Sequence, residues 1–326
     1  MTGAGEGSRR RTGFRWRWRA TASIGLLAVA TACSGLRAVS DLDFEPEVGE
    51  PVWEEGAGPR VAFDAAHANY HTAEGRYAPL ARLLRRDGYV VEGLRQPWSA
   101  ETLQPYDLLV VSNALHPDDL RSWRLPTTPA FEREEIEAVV RWVEAGGALW
   151  LIADHMPFPG AAQELARAFG LLFGNAYAST ESGPLPPFTR DAGLGEHPIT
   201  RGRAADERID TVSTFGGQAF RVHGVAPGTI SPLLTLPERS VLRLPRRAGR
   251  LGERTATLPA DGMLQGVALR RGEGRVAAFG EAAMFSAQRF ERRGEVVFVM
   301  GMNDPDAPQN AQLALNVAHW LSGLLD

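Results

Sequence analysis

The chain has 326 residues, of which 44% are hydrophobic, so it is long enough for one large or two ordinary domains with a sizeable core. Its 35 Lys and Arg residues are all arginines, which excludes a lysine Schiff base and the lysine of a P-loop nucleotide site. The formal net charge is −4, and the single cysteine, Cys33, excludes a disulfide within the chain.

Residues 1–33 have the pattern of a bacterial signal peptide with a lipobox. Six arginines form a positive segment, and the apolar run ASIGLLAVATA follows it and ends at Cys33. That run is too short for a permanent transmembrane helix. The tetrapeptide ATAC resembles a lipobox, which predicts that Cys33 is lipidated and becomes the mature N-terminus. An ordinary signal peptide followed by a chance cysteine is the alternative.

The predicted mature protein is acidic and anchored to a membrane of the cell envelope, outside the cytoplasm. Removal of residues 1–32 takes away six arginines and Glu6, which moves the formal charge from −4 to −9. An acidic chain without a basic patch is not expected to bind nucleic acid. With Cys33 used as the anchor, no thiol remains for a nucleophile or for a cysteine-based zinc site.

Residues 34–58 are predicted to form a flexible acidic tether. They carry seven acids and one arginine, and their apolar residues have no helical or strand periodicity. Such a composition is typical of a solvated linker between a membrane anchor and a folded domain.

Residues 59–326 are predicted to form a single α/β domain, because strand and helix patterns alternate along the chain. Strands are predicted at 60–67, 89–94, 107–115 and 148–154, with helices at 74–87, 131–145 and 160–170. The run at 107–115 is apolar throughout, as in a strand that is buried on both faces. This alternation predicts a three-layer, flavodoxin-like sandwich, in which helices cover both faces of a mostly parallel sheet.

The second half of the chain interrupts this alternation. Residues 175–262 are rich in Pro and Gly and contain only short strand candidates, so they are predicted to form an irregular insertion over the upper edge of the sheet. Residues 266–281 are predicted to form a β-hairpin, because RGEG supplies the turn glycines. A helix is predicted from about residue 309 to the end.

Polar residues follow the predicted strands at the edge where open α/β sheets bind ligands, since the loops at the carboxyl ends of parallel strands converge there. Unpaired polar groups at the end of a buried strand are costly, so their clustering favours a polar crevice. Asp154, His155 and Glu281 are the candidates for acid–base catalysis. The candidate ligand-binding residues are Asp64, His67, Asn69, His71, Asn113, Asp154, His155, Glu281 and Asn303.

Each of these candidates also has a structural interpretation. Asp64 and Asp154 could cap backbone amides, and a lone histidine most often satisfies a hydrogen bond. Three other histidines are assigned to structure, because nothing near them in the sequence suggests chemistry; they are His197, His223 and His319.

A divalent metal is the one cofactor that the sequence leaves open. His67 and His71 are four residues apart and would share a face of a helical turn; with Asp154 and His155 they could supply nitrogen and oxygen ligands. The spacing lacks the general-base glutamate of an HExxH motif.

The sequence HPDDL at 116–120 is similar to the HPDDE motif of zinc-dependent deacetylases that act on N-acetylglucosaminyl lipids. Leu120 replaces the final acid of that motif, which removes the general base, and the motif follows the third predicted strand here, whereas in that family it follows the first. We therefore predict a turn at this position.

The run FEREEIEAVVRWVEAGGALWLIADH, with DLLVVSNAL before it and GRVAAFGEAAMFS after it, resembles the class I glutamine-amidotransferase-like superfamily. Within it the chain is most similar to DUF4350-type domains and their relatives among gliding-motility transporter components and trehalose-utilisation-like proteins. The resemblance covers about residues 60–172 and 262–325. It includes the element order, the two glycines before a buried strand and the acid after the terminal strand.

The resemblance implies an amidotransferase-like domain that has lost amidotransferase activity. Members of the superfamily carry a cysteine after a central strand and a His-Pro-Glu sequence after a late strand. Here Asp154 and His155 stand near the position of the cysteine, and Glu281 stands near the acid without a preceding His-Pro. Without a thiol and its paired base, ammonia transfer from glutamine cannot follow the family route.

Two functions fit these observations. The first is an envelope lipoprotein that binds a small polar ligand, or a partner protein, at the carboxyl-terminal rim of its sheet. The alternative is a metal-dependent or acid–base hydrolase that uses the His, Asp and Glu residues of the rim, with residues 175–262 as a lid. A purely structural scaffold is the third interpretation.

Overall fold

A computed structural model of the chain describes residues 36–224 and 229–326, so the predicted signal peptide and Cys33 lie outside the described residues. Within this part the chain is an α/β protein built around a mixed sheet of nine strands. No helix of the described ranges has the length and the apolar character that crossing a membrane requires.

The secondary structure elements carry the following bounds. The helices are α1 (Ala78–Arg86), α2 (Ala100–Leu103), α3 (Arg133–Glu144), α4 (Phe158–Ala161), α5 (Gln163–Ala168), α6 (Pro198–Arg201) and α7 (Asn310–Leu321). The strands are β1 (Leu36–Ser40), β2 (Arg60–Asp64), β3 (Val90–Leu94), β4 (Leu108–Ser112), β5 (Ala148–Ile152), β6 (Leu171–Phe173), β7 (Tyr177–Thr180), β8 (Phe188–Thr189), β9 (Thr211–Val212), β10 (Phe220–Val222), β11 (Ile230–Thr235), β12 (Ser240–Leu244), β13 (Ala256–Pro259), β14 (Leu264–Arg271), β15 (Gly274–Phe279), β16 (Ala287–Arg292) and β17 (Glu295–Gly301).

The central sheet has a parallel half and an antiparallel half. Its order is β3-β2-β4-β5-β15-β14-β10-β6, and β11 also pairs with β14. Strands β3, β2, β4, β5 and β15 run parallel to one another. The remaining strands are antiparallel to their neighbours. The sheet is therefore mixed, because the β14–β15 hairpin, β6 and two strands of the insertion extend what the sequence predicts to be a mostly parallel sheet.

The parallel strands bury side chains on both faces. In β5, Leu149 and Leu151 face a core that includes Val139 of α3, whereas Trp150 faces a second core that includes Leu84 of α1 and Trp320 of α7. Full burial of each such side chain contributes roughly 1.5–3 kcal/mol. Helices therefore pack on both faces of β5 and fix its position. Asp154 and His155 lie in the loop that follows the carboxyl end of this strand.

The insertion is more regular than its sequence predicts. Strands β10 and β11 join the central sheet, and β7, β12 and β13 form a separate three-stranded sheet. The short strand candidates PLLTL and VLRL correspond to β11 and β12, and the hairpin predicted at 266–281 is confirmed as β14 and β15.

The prediction of a flexible tether at 34–58 is wrong for residues 36–58, which pack against the domain. Strand β1 pairs with β16, which itself forms a hairpin with β17. Further along, Trp53 packs edge-on against Tyr89 with ring centroids 4.5 Å apart, and Arg82 donates a 2.7 Å hydrogen bond to the carbonyl of Phe44. The acidic composition hides these contacts, because the few apolar residues that anchor the segment have no regular spacing.

Candidate functional site

A cavity of about 750 Å³ lies at the carboxyl ends of the parallel strands. Asn113 follows β4, Asp154 and His155 follow β5, and Glu281 follows β15; all four line the cavity together with His71. Its volume is in the range of sites that enclose a small molecule. The structure therefore brings five of the predicted site residues together at the predicted edge of the sheet.

The insertion supplies much of the remaining wall of this cavity, from residues 177–184, 215–217 and 243–253. It crosses directly over the end of β15, where the amide of Gln218 donates a 2.7 Å hydrogen bond to the carbonyl of Gly280. Gly217 has a φ of 78°, and a Cβ there would lie 2.1 Å from the same carbonyl oxygen. Only glycine permits so close an approach of the two backbones.

Asn113 is a strained and buried residue at the floor of the cavity. It has a φ of 49°, a conformation that costs free energy for a residue with a side chain. Its Oδ1 accepts a 2.8 Å hydrogen bond from the amide of Asp154, which fixes the orientation of the side-chain amide. Its Nδ2 is buried and has no hydrogen-bond partner among the described residues. A buried donor that lines a cavity can pair with an acceptor that enters the cavity.

His155 stands beside Asp154 with one ring nitrogen committed to the backbone. Its Nδ1 lies 2.8 Å from the carbonyl oxygen of Met156, which requires a proton on Nδ1 and leaves Nε2 as the acceptor of the neutral ring. The imidazole stacks on Tyr177, with centroids 4.5 Å apart and planes inclined by 14°. The amide of His155 also donates a 2.7 Å hydrogen bond to Asp154 Oδ1.

Glu281 is the most buried acid of the cavity, at 1% exposure. Its two carboxyl oxygens accept hydrogen bonds of 2.8 Å from the amides of Ala283 and Met284. Burial, and next the negative charge of Asp154, raise the pKa of Glu281 to about 8. At neutral pH this carboxyl group is therefore mainly protonated.

His71 contributes a neutral imidazole to the cavity wall. Burial first, and then the positive charges of Arg76 and His155, lower the pKa of His71 to about 3. The ring stacks on Tyr77 with centroids 4.5 Å apart, and its Nδ1 lies 3.2 Å from the hydroxyl of Ser112. It can therefore donate or accept a hydrogen bond, but it does not carry charge at physiological pH.

The remaining lining combines aromatic rings with arginines. These residues lie largely in the insertion and in loops, where the sequence has no periodic pattern that would single them out. The aromatic residues are Tyr70, Trp123, Phe158, Tyr177, Phe215 and Phe290, and the arginines are Arg76, Arg243, Arg247 and Arg250.

His67 does not line the cavity, so its placement in the predicted site is wrong. Its Nδ1 lies 2.9 Å and 3.0 Å from the two carboxylate oxygens of Asp64, and its Nε2 lies 3.0 Å from Glu135. Burial lowers the pKa of His67, but the hydrogen bonds and charges of Asp64 and Glu135 outweigh it and raise the pKa above 6.5. The imidazolium clamps the loop after β2 to the first turn of α3.

Asp64, Asn69 and Asn303 have structural roles as well. Asn69 donates a 2.8 Å hydrogen bond to Asp64 and thereby belongs to the same clamp as His67. Asn303 donates a 2.9 Å hydrogen bond to Asp41 and supports the sheet of β1, β16 and β17. Neither Asp64 nor the two asparagines line the cavity.

The proposed metal ligands His67, His71, Asp154 and His155 do not converge, because His67 is held in the clamp with Asp64 and Glu135. In the described ranges no group of three or more His, Cys, Asp or Glu side chains has an arrangement that could hold a metal ion.

The HPDDL segment and two of the three histidines assigned to structure have structural roles. HPDDL forms a short 3₁₀ turn at Pro117–Asp119, in which the amide of Asp118 donates a hydrogen bond to Nδ1 of His116. His197 caps α6, and His319 makes a buried 2.6 Å contact with Asp87.

The comparisons with known proteins identify the fold and nothing finer. No family model matches the sequence, and no curated protein matches it. Among solved structures, the N-terminal domain of mmIFT52 is similar over 80% of this chain and 97% of its own, with a TM-score of 0.54 and 14% identity. A ThuA-like protein from Bacteroides uniformis covers 84% of this chain and 95% of its own, with a TM-score of 0.45 and 13% identity. A cytoplasmic protein from Salmonella typhimurium LT2 covers 80% and 99%, with a TM-score of 0.45 and 15% identity. At these identities the first similarity indicates a shared α/β fold.

Proposed function

We propose that the chain binds a small polar ligand in the cavity at the carboxyl ends of β4, β5 and β15. The observation that carries this proposal is the buried Nδ2 of Asn113, which is held in place by the strained backbone and has no partner among the described residues. Its immediate surroundings offer the free Nε2 of His155 and the protonated carboxyl of Glu281. A ligand with hydroxyl groups, which both donate and accept hydrogen bonds, would satisfy all three.

We propose further that the domain is a three-layer, flavodoxin-like member of the class I glutamine-amidotransferase-like superfamily, of the DUF4350 type, without amidotransferase activity. The parallel order β3-β2-β4-β5-β15 and the helices on both faces of β5 support the layered arrangement. The position after β5 carries Asp154 and His155 instead of a thiol, which supports the loss of ammonia transfer.

The proposed location is the cell envelope, with the protein held at a membrane by a lipid on Cys33. The arginine-rich segment, the short apolar run and the ATAC sequence support this location. Growth with a palmitate analogue should label the protein, and the label should disappear in Cys33→Ala. A label that persists in Cys33→Ala would contradict the anchor.

Ligand binding is tested with a variant that fills the cavity. Gly183 lines the cavity, and a Cβ at this position meets no atom within 4 Å, so Gly183→Trp places an indole there without disturbing the core. A panel of sugars, amino sugars and amino acids is screened by the shift of the unfolding temperature. We expect at least one compound to stabilise the native protein and not Gly183→Trp.

The matched control is Gly49→Trp, because Gly49 is also surrounded by open space and lies outside the cavity. It should respond to the compound as the native protein does. Equal stabilisation of both tryptophan variants would show that the compound binds elsewhere.

The pKa of Glu281 favours one second candidate, an acid–base hydrolase. A protonated carboxyl beside Asp154 could act as a general acid at neutral pH. Hydrolysis of p-nitrophenyl esters or glycosides would then fall as the pH rises through about 8 and would be lost in Glu281→Gln. Glu253→Gln, at an exposed acid of the same cavity, should keep the activity. Absence of hydrolysis in the native protein would leave binding as the function.

A further inference from the structure

The arginines of the cavity, unlike many at the surface of the molecule, have no acidic partner among the described residues. Arg239 lies 2.9 Å from Glu181, and Arg275 lies 2.7 Å from Asp326, as is usual for surface ion pairs. In contrast, none of the four arginines that line the cavity has a carboxylate within ion-pair distance in the described ranges. They are Arg76, Arg243, Arg247 and Arg250.

Two of these arginines are held in position without losing their charge. The guanidinium of Arg76 lies over the ring of Tyr70, 4.4 Å from its centroid. Arg243 is fixed within β12, and its Nε donates a 3.1 Å hydrogen bond to the hydroxyl of Ser179. Both side chains are half-buried, so the charge of each acts in a less polar setting than that of an exposed arginine.

The acids of the cavity do not offset this positive charge. Glu281 is mainly protonated at neutral pH, and Glu181 is engaged by Arg239. The unpaired charges of the described lining are then two negative ones, on Asp154 and Glu253, and four positive ones, on the arginines. The cavity is thus net positive in a chain whose formal charge is −4.

We propose that the ligand of this cavity carries a carboxylate or a phosphate, which Arg76 and Arg243 bind, as well as the polar groups that meet Asn113. Guanidinium groups pair with planar or tetrahedral anions through charge-assisted hydrogen bonds, and aromatic rings beside them accommodate the face of a sugar ring. The class of ligand is a small acidic or phosphorylated sugar. This inference rests on the proposed binding function.

The test compares compounds that differ by one charged group, namely glucose, glucuronate and glucose 6-phosphate, on the intact protein purified in detergent. We expect glucuronate or glucose 6-phosphate to bind at least tenfold more tightly than glucose, as measured by calorimetry. The preferred anion distinguishes a carboxylate from a phosphate. Arg243→Gln and Arg76→Gln should remove most of this preference.

Arg133→Gln is the control, because Arg133 is an exposed residue of α3 far from the cavity lining. It should keep the native preference. If neither anion binds more tightly than glucose, the inference is overturned. The proposed binding function survives this result if a neutral compound of the wider panel stabilises the native protein and not Gly183→Trp.

A second inference concerns the β16–β17 hairpin and follows from different residues. At its tip Arg292, Arg293, Val296 and Val297 are all exposed, the two valines at 51% and 52%. Neither arginine has a carboxylate within ion-pair distance in the described ranges. β17 is an edge strand, so its outer backbone groups are also free of a neighbouring strand.

The tip lies beside the start of the described chain. Leu36 pairs directly with Arg292, and Cys33 precedes Leu36 by three residues. Three residues of extended chain span at most about 10 Å. A lipid on Cys33 would therefore bring the tip within about 10 Å of the membrane surface.

We infer that the hairpin tip contacts a membrane that contains anionic lipids, next to the proposed lipid anchor on which this inference depends. The two arginines fit anionic headgroups, and the two valines fit the boundary between headgroups and acyl chains. The packing of residues 36–58 on the domain would then set the orientation of the whole protein on the membrane.

Depth-dependent quenching tests this contact on the intact lipidated protein in vesicles that contain phosphatidylglycerol. Since Cys33 is the one native cysteine, Val296→Cys provides a single site for a fluorescent label once Cys33 is lipidated. Nitroxide lipids should quench this label strongly. A label at Leu258→Cys, an equally exposed position of the insertion, should be quenched several-fold less.

Three results would overturn the inference. Equal and weak quenching at both positions would place the tip away from the membrane. Cross-linking between the Val296→Cys positions of two molecules, without quenching, would indicate that the edge strand β17 contacts a second copy of the chain. Protein that does not associate with vesicles at all would contradict the anchor and, with it, this contact.

Discussion

Glu281 is the residue whose chemistry depends most on its surroundings. A carboxyl group that accepts two backbone hydrogen bonds would ordinarily ionise easily, yet burial and the charge of Asp154 prevail and raise its pKa to about 8. The folded protein therefore holds a proton between pH 4.5 and 8 that the unfolded chain has released. Consequently the free energy of unfolding should fall as the pH rises through this range.

Replacing the neighbouring acid tests this cause. In Asp154→Asn the charge is lost while burial remains, so the pKa of Glu281 should decrease but stay above 4.5. The fall in unfolding free energy should then be smaller and complete at a lower pH, as measured by urea denaturation from pH 5 to 9. Asp118→Asn, at an exposed acid, should follow the native curve. An unchanged curve for Asp154→Asn would mean that burial alone raises the pKa.

The sequence predicts single residues well where strand ends determine their position. Asp154, His155 and Glu281 each follow a buried parallel strand, and parallel strands end at a common edge. His67 follows such a strand too, but Glu135 reaches it from a helix 68 residues further along the chain. No pattern of short range reveals a partner at that distance.

At the scale of elements, Glu135 joins three segments of the fold. Its side chain caps α3 by accepting the amide of Glu132, and it accepts the amide of Trp98 and the Nε2 of His67. One carboxylate thus fixes the start of the helix, the loop after β2 and the segment before α2. The aromatic rings of Trp98 and Phe131 lie against His67 and shield this contact from water.

Glu135→Ala should lower the free energy of unfolding by about 3 kcal/mol, because it leaves a buried imidazolium without one of its partners. Glu134→Ala, at the exposed neighbour, should change it by less than about 0.5 kcal/mol. The raised pKa of His67 adds stability that is complete below pH 6.5 and is lost as the pH rises through its folded value. The cost of Glu135→Ala should therefore be larger at pH 6 than at pH 9. Equal costs would show that only the backbone hydrogen bonds contribute.

Elements are predictable from the sequence when their own residues determine them. The helix expected at 131–145 and the strand expected at 107–115 are confirmed as α3 and β4, because their apolar spacing is complete within the segment. Strand β10 of the insertion has three residues and pairs with β6, which also has three residues and precedes the insertion. Such strands carry no period of their own, so the insertion can be predicted only as irregular.

At the scale of the whole molecule, the N-terminal segment belongs to the folded unit. Strand β1 forms five residue pairs with β16, and Phe44, Val48 and Trp53 pack against the core that contains α1 and α7. The same small sheet supports the cavity, since Ala38, Gln288 and Phe290 are among its lining residues. The segment from residue 36 to residue 58 therefore connects the N-terminal end of the described chain to the wall of the cavity.

Two truncations separate a packed segment from a tether. Deletion of residues 1–35 gives the reference value of the free energy of unfolding for the described part of the chain. Deletion of residues 1–58 removes the β1 pairing and three packed apolar side chains, and should lower it by about 3 kcal/mol or more, since full burial of one such side chain contributes roughly 1.5–3 kcal/mol. Urea denaturation measures both values. Because Ala38 lines the cavity, the longer truncation should also weaken ligand binding. If residues 36–58 were only a tether, their removal would change neither the free energy of unfolding nor ligand binding.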